Sequence, residues 1–273
     1  TLSFDESSHS ANSYGIVIEE IKGYFKGDDM GFFFGKYNPR FGKAWNKRKR
    51  IGIFTSDFTQ DYKLTEKIGL GVEGLLENEG VISINSFFND TTAISNSAIN
   101  RRGSNNFGND LAGNNADLSS FSITASGNNF FEIEDLRYGF AYRDLDVDAS
   151  DGFENEKGML VNFEYSMPIN YESYFVPFVE FVKINNFRGI KNRDIFYSTI
   201  SLMLQHSSWN LGITTVLRDL SQENDSYTDK QMQYFVGYKF KNGINLDVTH
   251  LDVEESKKDA KIFGVALSYI YQF

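Results

Sequence analysis

Charged side chains recur on one face of many of the predicted strands. Successive side chains of an extended strand point to opposite faces, so residues of one parity share a face. The polar parity carries these charged residues: Lys36, Lys67, Glu73, Arg137, Arg143, Glu164, Glu180, Arg218, Lys239 and Asp247. Charges of both signs around a narrow, water-filled interior create a transverse field that separates solutes by charge. The alternative is that each charge only solvates the interior or pairs with a neighbour.

The connection over residues 38–66 is the second place where charges concentrate. It holds the cations Lys47, Arg48, Lys49 and Arg50, the acids Asp57 and Asp61, and the apolar patch 51–54. An exposed loop has little reason to carry such a patch, so we expect this loop to fold into the interior. There the two acids would face three cations across water: Lys67, Arg137 and Arg143. The alternative is a loop that lies over the rim and touches a neighbouring subunit.

Three acids that follow residue 143 have part of the spacing of a calcium loop. Asp144, Asp146 and Asp148 alternate, but Ala149 and Asn155 stand where such a loop has Gly and Glu. The stronger prediction is a solvated acidic loop without a cofactor. Calcium at Asp144, Asp146 and Asp148 is the weak alternative.

Candidate catalytic groups are few. His206-Ser207-Ser208 lies in a predicted short turn, and His9 and His250, the latter near Asp252, have the ordinary pattern of polar loop ends. The absence of cysteine excludes a disulfide scaffold and thiolate metal sites. We therefore predict that the chain is not an enzyme.

These residues must be positioned by strands, and residues 260–273 show the strand pattern most clearly. One parity is bulky and apolar (Phe263, Val265, Leu267, Tyr269, Tyr271 and Phe273), and the other is smaller and more polar (Gly264, Ala266, Ser268 and Gln272). A tilted strand of about ten residues is long enough to cross a bilayer. We expect the bulky parity to face outward.

Similar strands recur along the whole chain with no helix between them, and their connections alternate in length. The short connections are 26–29, 77–80, 127–129, 168–172, 206–208 and 241–243, and the long ones are 38–66, 90–117, 143–156, 184–193, 219–229 and 254–259. Long loops at one end only are typical of transmembrane β-barrels. The pattern predicts an all-β protein with about 14 antiparallel strands. Because residues before Thr1 are expected to be missing, 16 strands are the alternative.

Two stretches resemble a known family. The terminal Phe with aromatics two and four residues earlier resembles the closing strand of Gram-negative outer-membrane β-barrels, and GKYNPRFGKAW with EKIGLGVE, between Gly35 and Glu73, resembles a stretch of outer-membrane porins. The resemblance implies a single closed transmembrane β-barrel over residues 1–273, located in the outer membrane, that passes small hydrophilic solutes or ions. A plugged barrel that serves as an adhesin or structural protein is the alternative, and an outer-membrane hydrolase is a weaker one.

The same resemblance implies partners. We expect contact with membrane lipid and lipopolysaccharide, and recognition of the C-terminal strand by the barrel-assembly machinery. Phe32–Phe34 with Tyr37 would suit a homotrimer contact, and the alternative is that these aromatics only face lipid and the interior. The formal net charge of −10 argues against nucleic acid as a partner and favours an interior that prefers cations. No run of 18 apolar residues is present, so a helical membrane span is excluded.

Overall fold

The computed structural model describes residues 2–6, 14–47, 58–76, 79–90, 112–113, 117–147, 152–223 and 225–269, with side chains from Ile18 onward. The strands are β1 (Leu2–Glu6), β2 (Tyr14–Ile18), β3 (Ile21–Lys26), β4 (Met30–Tyr37), β5 (Lys67–Leu76), β6 (Gly80–Asn89), β7 (Ser120–Gly127), β8 (Leu136–Leu145), β9 (Glu156–Tyr165), β10 (Met167–Asn170), β11 (Ser173–Asn185), β12 (Arg193–His206), β13 (Trp209–Gln222), β14 (Asp225–Lys239), β15 (Ile244–Glu255) and β16 (Lys258–Tyr269). Short 3₁₀ helices cover Ala44–Asn46, Phe58–Tyr62, Phe130–Glu132 and Phe187–Gly189. Among the described residues no helix is long and apolar enough to cross a membrane.

One antiparallel sheet of 14 strands contains β3 to β16, which confirms the predicted all-β class and strand number. Its strands follow in chain order. The short β10 pairs only with β11, beyond the part of β11 that pairs with β9. The strands β1 and β2 form a separate pair. Over the described ranges β3 forms one edge of the large sheet and β16 the other.

The exposed face of the sheet is apolar and the buried face is polar, which is the reverse of a soluble protein. One face exposes large apolar side chains, among them Phe140, Phe181, Ile200, Leu211, Val236 and Val265. The other face buries polar side chains, among them Asn85, Ser122, Asn162, Glu180, Thr199 and Gln231. We call these the outer and the inner face. Such an arrangement is stable when the outer face meets hydrocarbon rather than water.

The C-terminal strand follows the predicted parity. Phe263, Val265, Leu267 and Tyr269 are exposed on the outer face, with Leu267 at 71%, so their predicted orientation is confirmed. Tyr271 and Phe273 lie outside the described residues.

Several predicted connections are wrong in length. At the end where the loops were expected to be long, the last three connections are only 186–192, 223–224 and 256–257. Polar residues that looked like loop instead continue the strands, since Arg218 pairs in register with Asp229 and Asp219 with Thr228. At the other end the predicted short turn 127–129 extends over 128–135 and contains a 3₁₀ helix.

The three consecutive aromatics of β4 do not form one outward patch. Phe32 and Phe34 are exposed on the outer face, whereas Phe33 and Tyr37 are buried on the inner face with their ring centroids 5.0 Å apart. The strand alternation therefore divides the patch proposed for a subunit contact between the two faces.

We expect Leu267→Arg to lower the free energy of unfolding in lipid vesicles by about 2–4 kcal/mol, because it places a charge on the outer face. Ser268→Arg, on the inner face of the same strand, is the matched control and should cost much less. Urea titration in vesicles measures both values. Equal costs for the two variants would show that the outer face is not in hydrocarbon.

Candidate functional site

The connection between β4 and β5 packs against the inner face of the sheet. We call its described parts, residues 38–47 and 58–66, the inner loop. Phe41, Ala44, Phe58, Tyr62 and Leu64 are buried in one cluster with inner-face residues of β9 and β11 to β13, namely Leu160, Phe178, Val182, Tyr197 and Val216. The structure thus places the described parts of the loop inside the curve of the sheet. Arg48, Lys49, Arg50, Asp57 and the apolar patch 51–54 lie outside the described residues.

Local contacts shape the inner loop. The Trp45 indole N–H donates to the Phe41 carbonyl (2.9 Å), and the Gln60 amide donates to the Trp45 carbonyl (3.0 Å). Gly42 has φ +83°, and a Cβ there would lie 2.9 Å from the Tyr62 ring and 3.0 Å from Leu160. Only glycine fits both this backbone conformation and this close approach.

The carboxylate of Glu180 on β11 holds the inner loop to the wall. One oxygen accepts from the Tyr62 hydroxyl (2.6 Å) and the Ala44 N–H (3.1 Å). The other accepts from the Lys43 N–H (2.7 Å) and the Asn162 amide (3.1 Å). Glu180 is 0% exposed. A buried carboxylate is tolerated only where donors replace its water, and here four donors do so.

Arg143 on β8 forms a second attachment. It donates to the Tyr62 carbonyl (2.6 Å) and to the Glu156 carboxylate (2.5 Å). Its guanidinium also lies over the Phe41 ring, 4.4 Å from the centroid. Because these contacts reach both described parts of the loop, Arg143 fixes the two parts relative to each other.

Arg218 on β13 forms the third attachment. It donates to Asp61 of the inner loop (2.8 Å), to Asp229 on the neighbouring β14 and to Glu255 on β15 (2.6 Å each). Tyr197 also donates to Asp61 (3.0 Å). Asp61 therefore pairs with Arg218, which belongs to a strand that the sequence pattern ended too early.

Asp61 also lines a second cavity, of about 290 Å³, together with Lys67 and Arg143, as predicted for these two cations. Arg137 does not face Asp61 as predicted, because it contacts Glu164 instead.

Lys47 and Arg137 meet at one carboxylate. Lys47 forms an ion pair with Glu164 on β9, and Arg137 lies 3.3 Å from the same side chain. Lys43 lies nearby, and burial together with the Lys47 charge lowers the pKa of its amine. These contacts place Lys47, with Lys43 near it, on the side of the interior formed by β8 and β9.

A cavity of about 490 Å³ lies between the inner loop and the inner wall. On the loop side it is lined by Arg40, Gly42, Lys43, Trp45 and Lys47, and on the wall side by residues that include Thr124, Ser126, Gly139 and Asn162. Among the described residues its lining includes three cations and no carboxylate. The cavity lining therefore carries positive charge beside a largely apolar surface.

The remaining predicted lining residues are divided. Lys67, bonded to Asn89, lies on the inner face with Glu73 and Asp247, and exposed Lys239 lies on that face at the short-turn end. Lys36 was predicted to face inward, and this is wrong. It pairs in register with Ile68, shares the outer parity with Phe34, and is buried beside Asp90 at 2.9 Å. An ion pair with Asp90 takes the place of water around its amine.

The other candidate chemistries find little support in the geometry. Asp144 accepts from Asn155 (3.1 Å), and Asp148 lies outside the described residues. No group of three or more His or acidic side chains within the described ranges could hold a metal ion. His206 contacts Ser173 (2.8 Å), and Ser207 donates to Glu172 (2.8 Å), so His206 and Ser207 have different partners.

The fold matches solved structures over nearly the whole chain. The outer membrane channel DcaP of Acinetobacter baumannii superposes with a TM-score of 0.61 at 9% identity, over 97% of this chain and 77% of that one. OpdQ of Pseudomonas aeruginosa gives 0.60 at 10% identity, over 96% and 71%. The fold is that of a Gram-negative outer-membrane porin. OccK8 (OprE) of P. aeruginosa gives 0.60 at 11% identity, over 94% and 71%. No protein-family model and no curated protein sequence matches the chain.

Five residues of the site are revealed only by the structure. Tyr62, Glu156, Tyr197, Asp229 and Glu255 all bind predicted residues, but none was predicted. Tyr197 was assigned to the correct strand, and its parity was the available signal. Asp229 and Glu255 lie in the terminal parts of β14 and β15, within the stretches 219–229 and 254–259 that the sequence pattern predicts as loops.

We expect Glu180→Ala to lower the free energy of unfolding by about 3 kcal/mol, because it leaves buried donors of Lys43, Ala44 and Tyr62 without an acceptor. Glu180→Gln keeps the shape and one good acceptor, so it should cost less. Urea unfolding gives the stability, and limited proteolysis reports release of the inner loop. If Glu180→Ala changed neither quantity, the carboxylate would not hold the loop.

Proposed function

We propose that this protein is an outer-membrane porin, a passive channel for small hydrophilic solutes and ions. The observation that carries the proposal is the reversed sheet, with an apolar outer face and a polar inner face that encloses a cavity. The similarity to the outer membrane channel DcaP supports the same assignment. In this proposal the strands close into a barrel, because unpaired strand edges are not stable in hydrocarbon.

The membrane orientation follows from the connections. The three long connections, over 38–66, 90–119 and 146–155, lie at one end of the sheet, which we assign to the cell exterior. The other end would then face the periplasm. The exposed outer face would contact lipid, and its outer rim lipopolysaccharide.

The cavity lining favours anions. The net charge of −10 suggested a preference for cations, but the described lining of the cavity has three cations. Local charges within a Debye length of about 8 Å dominate over distant loop charges. Lys47 is partly compensated by Glu164, so Lys43 and Arg40 are the stronger candidates for attracting a passing anion.

A plugged barrel is the second candidate. The inner loop buries Phe41, Phe58 and Tyr62 inside the sheet, which is the packing that a plug would require. Single-channel recording in planar bilayers separates the two functions. Stepwise openings support the porin, whereas an intact barrel without openings supports a structural or adhesive role.

Deletion of residues 47–61 should raise the single-channel conductance and weaken ion selectivity, because it removes Lys47, Phe58 and Asp61 from the interior. Conductance and reversal potential in planar bilayers measure both effects. The unaltered chain in the same bilayers is the reference. Unchanged conductance would show that the inner loop does not restrict the path.

Lys43→Glu should shift the reversal potential in a salt gradient toward cation preference, since it reverses a charge on the cavity lining. Lys230→Glu, on the outer face, makes the same charge change as a control and should have little effect. Identical shifts for both variants would contradict the assignment of the cavity to the path.

The pKa of Lys43 is lowered, so its amine loses its charge at a lower pH than an ordinary lysine. The anion preference of the unaltered chain, measured as the reversal potential, should therefore decline as the pH rises into the alkaline range.

The proposed assembly has two further parts. Phe25, Phe32 and Phe34 cluster on the outer face with ring centroids 6.2–6.5 Å apart, and we propose that they contribute to a homotrimer contact. Sedimentation of the protein in mild detergent as a monomer alone would contradict the trimer.

The second part concerns the C-terminal strand, which the barrel-assembly machinery would bind. Undiminished assembly by that machinery after removal of residues 270–273 would argue against this role.

A further inference from the structure

Two turns of the sheet share a sequence pattern and a backbone. Residues 128–135 read NNFFEIED and join β7 to β8, and residues 185–192 read NNFRGIKN and lead from β11 to β12. In both, the second Asn is left-handed, at φ 56° for Asn129 and 53° for Asn186. The amide of each Asn accepts from the eighth residue, at 3.1 and 3.0 Å. One turn is therefore used at opposite ends of the sheet.

The third residue of each turn packs against a different face. Phe187 is buried in the inner core cluster. Phe130 instead lies on the outer face, with ring-centroid distances of 4.8 Å to Tyr138, 5.5 Å to Phe163 and 5.8 Å to Phe140. The turn at 128–135 is thus continuous with the apolar outer face.

The fourth residue marks the functional difference. Arg188 and Phe131 both have positive φ, 59° and 50°, a conformation that is unfavourable for a bulky side chain. Arg188 is polar, as expected at an exposed position. Phe131 is 83% exposed, and its neighbour Ile133 is also exposed. A strained and exposed aromatic ring is explained if its surroundings are apolar.

We propose that the turn at 128–135 is a membrane anchor in which Phe131 and Ile133 enter the lipid leaflet at the short-turn end. This inference rests on the proposed function. Lipid fits better than a protein partner because the turn continues the face that meets hydrocarbon. The exposed acids Glu132, Glu134 and Asp135 keep the turn at the headgroup level, where aromatic rings are favoured.

The chain has no cysteine, so single nitroxide labels can be placed at will. We would label Phe131→Cys, Arg188→Cys as the matched turn, and Leu267→Cys as the lipid reference, in phosphatidylethanolamine and phosphatidylglycerol vesicles. Power saturation compares collisions with oxygen, which concentrates in lipid, and with a water-soluble nickel chelate. We expect oxygen to dominate at positions 131 and 267, and nickel at 188.

A nickel-dominated signal at 131 would overturn the anchor, and so would a signal protected from both reagents, because a protein would then cover the turn. If position 267 were also nickel-dominated, the proposed membrane function itself would fail. The reciprocal exchange gives a second test. Phe131→Arg should lower the folded-to-unfolded ratio in vesicles by about fivefold, whereas Arg188→Phe should not lower it. No loss for Phe131→Arg would also overturn the anchor.

Discussion

The arrangement of the interior depends on the buried carboxylate of Glu180. Its two oxygens accept four hydrogen bonds, three of them from the inner loop. A charge without water is stable only if donors surround it, and the loop supplies most of those donors. The same contacts satisfy the N–H groups of Lys43 and Ala44, which have no acceptor within the short helix Ala44–Asn46. Loop and wall therefore stabilise each other, and neither arrangement is expected without the other.

Two cations extend this attachment across the interior. Arg143 binds the loop from β8 and Arg218 binds it from β13, each with an aromatic ring of the loop beneath its guanidinium. Because these strands are separated along the sheet by β9, β11 and β12, the attachments span its inner curve. The cations Lys43 and Lys47 are left on one side, beside the cavity. Lys47 is paired there with Glu164, whereas the two arginines are used to hold the loop.

The repeated turn shows how little of an environment is encoded in backbone conformation. Residues 128–135 and 185–192 form the same hydrogen bonds and the same left-handed positions, yet Phe130 and Phe187 pack on opposite faces. Side chains alternate between the two faces along each strand, so the register of the flanking strands determines which face the aromatic ring of the turn packs against. The fourth residue of each turn differs accordingly: Phe131 follows the ring on the apolar outer face, and Arg188 follows the ring on the inner face.

The sequence by itself determined the strand class, the approximate strand number and the outward face of residues 263–269. These features depend on local alternation, which a single chain displays. It also indicated that residues 38–66 fold inward, from an apolar patch on a charged loop. Only the tertiary structure decided that Asp61 pairs with Arg218 and that Lys36 belongs to the outer parity with Asp90. Those pairings join residues far apart in the chain, and strand register and the true ends of β13 and β14 fix them, whereas local composition suggested loops there.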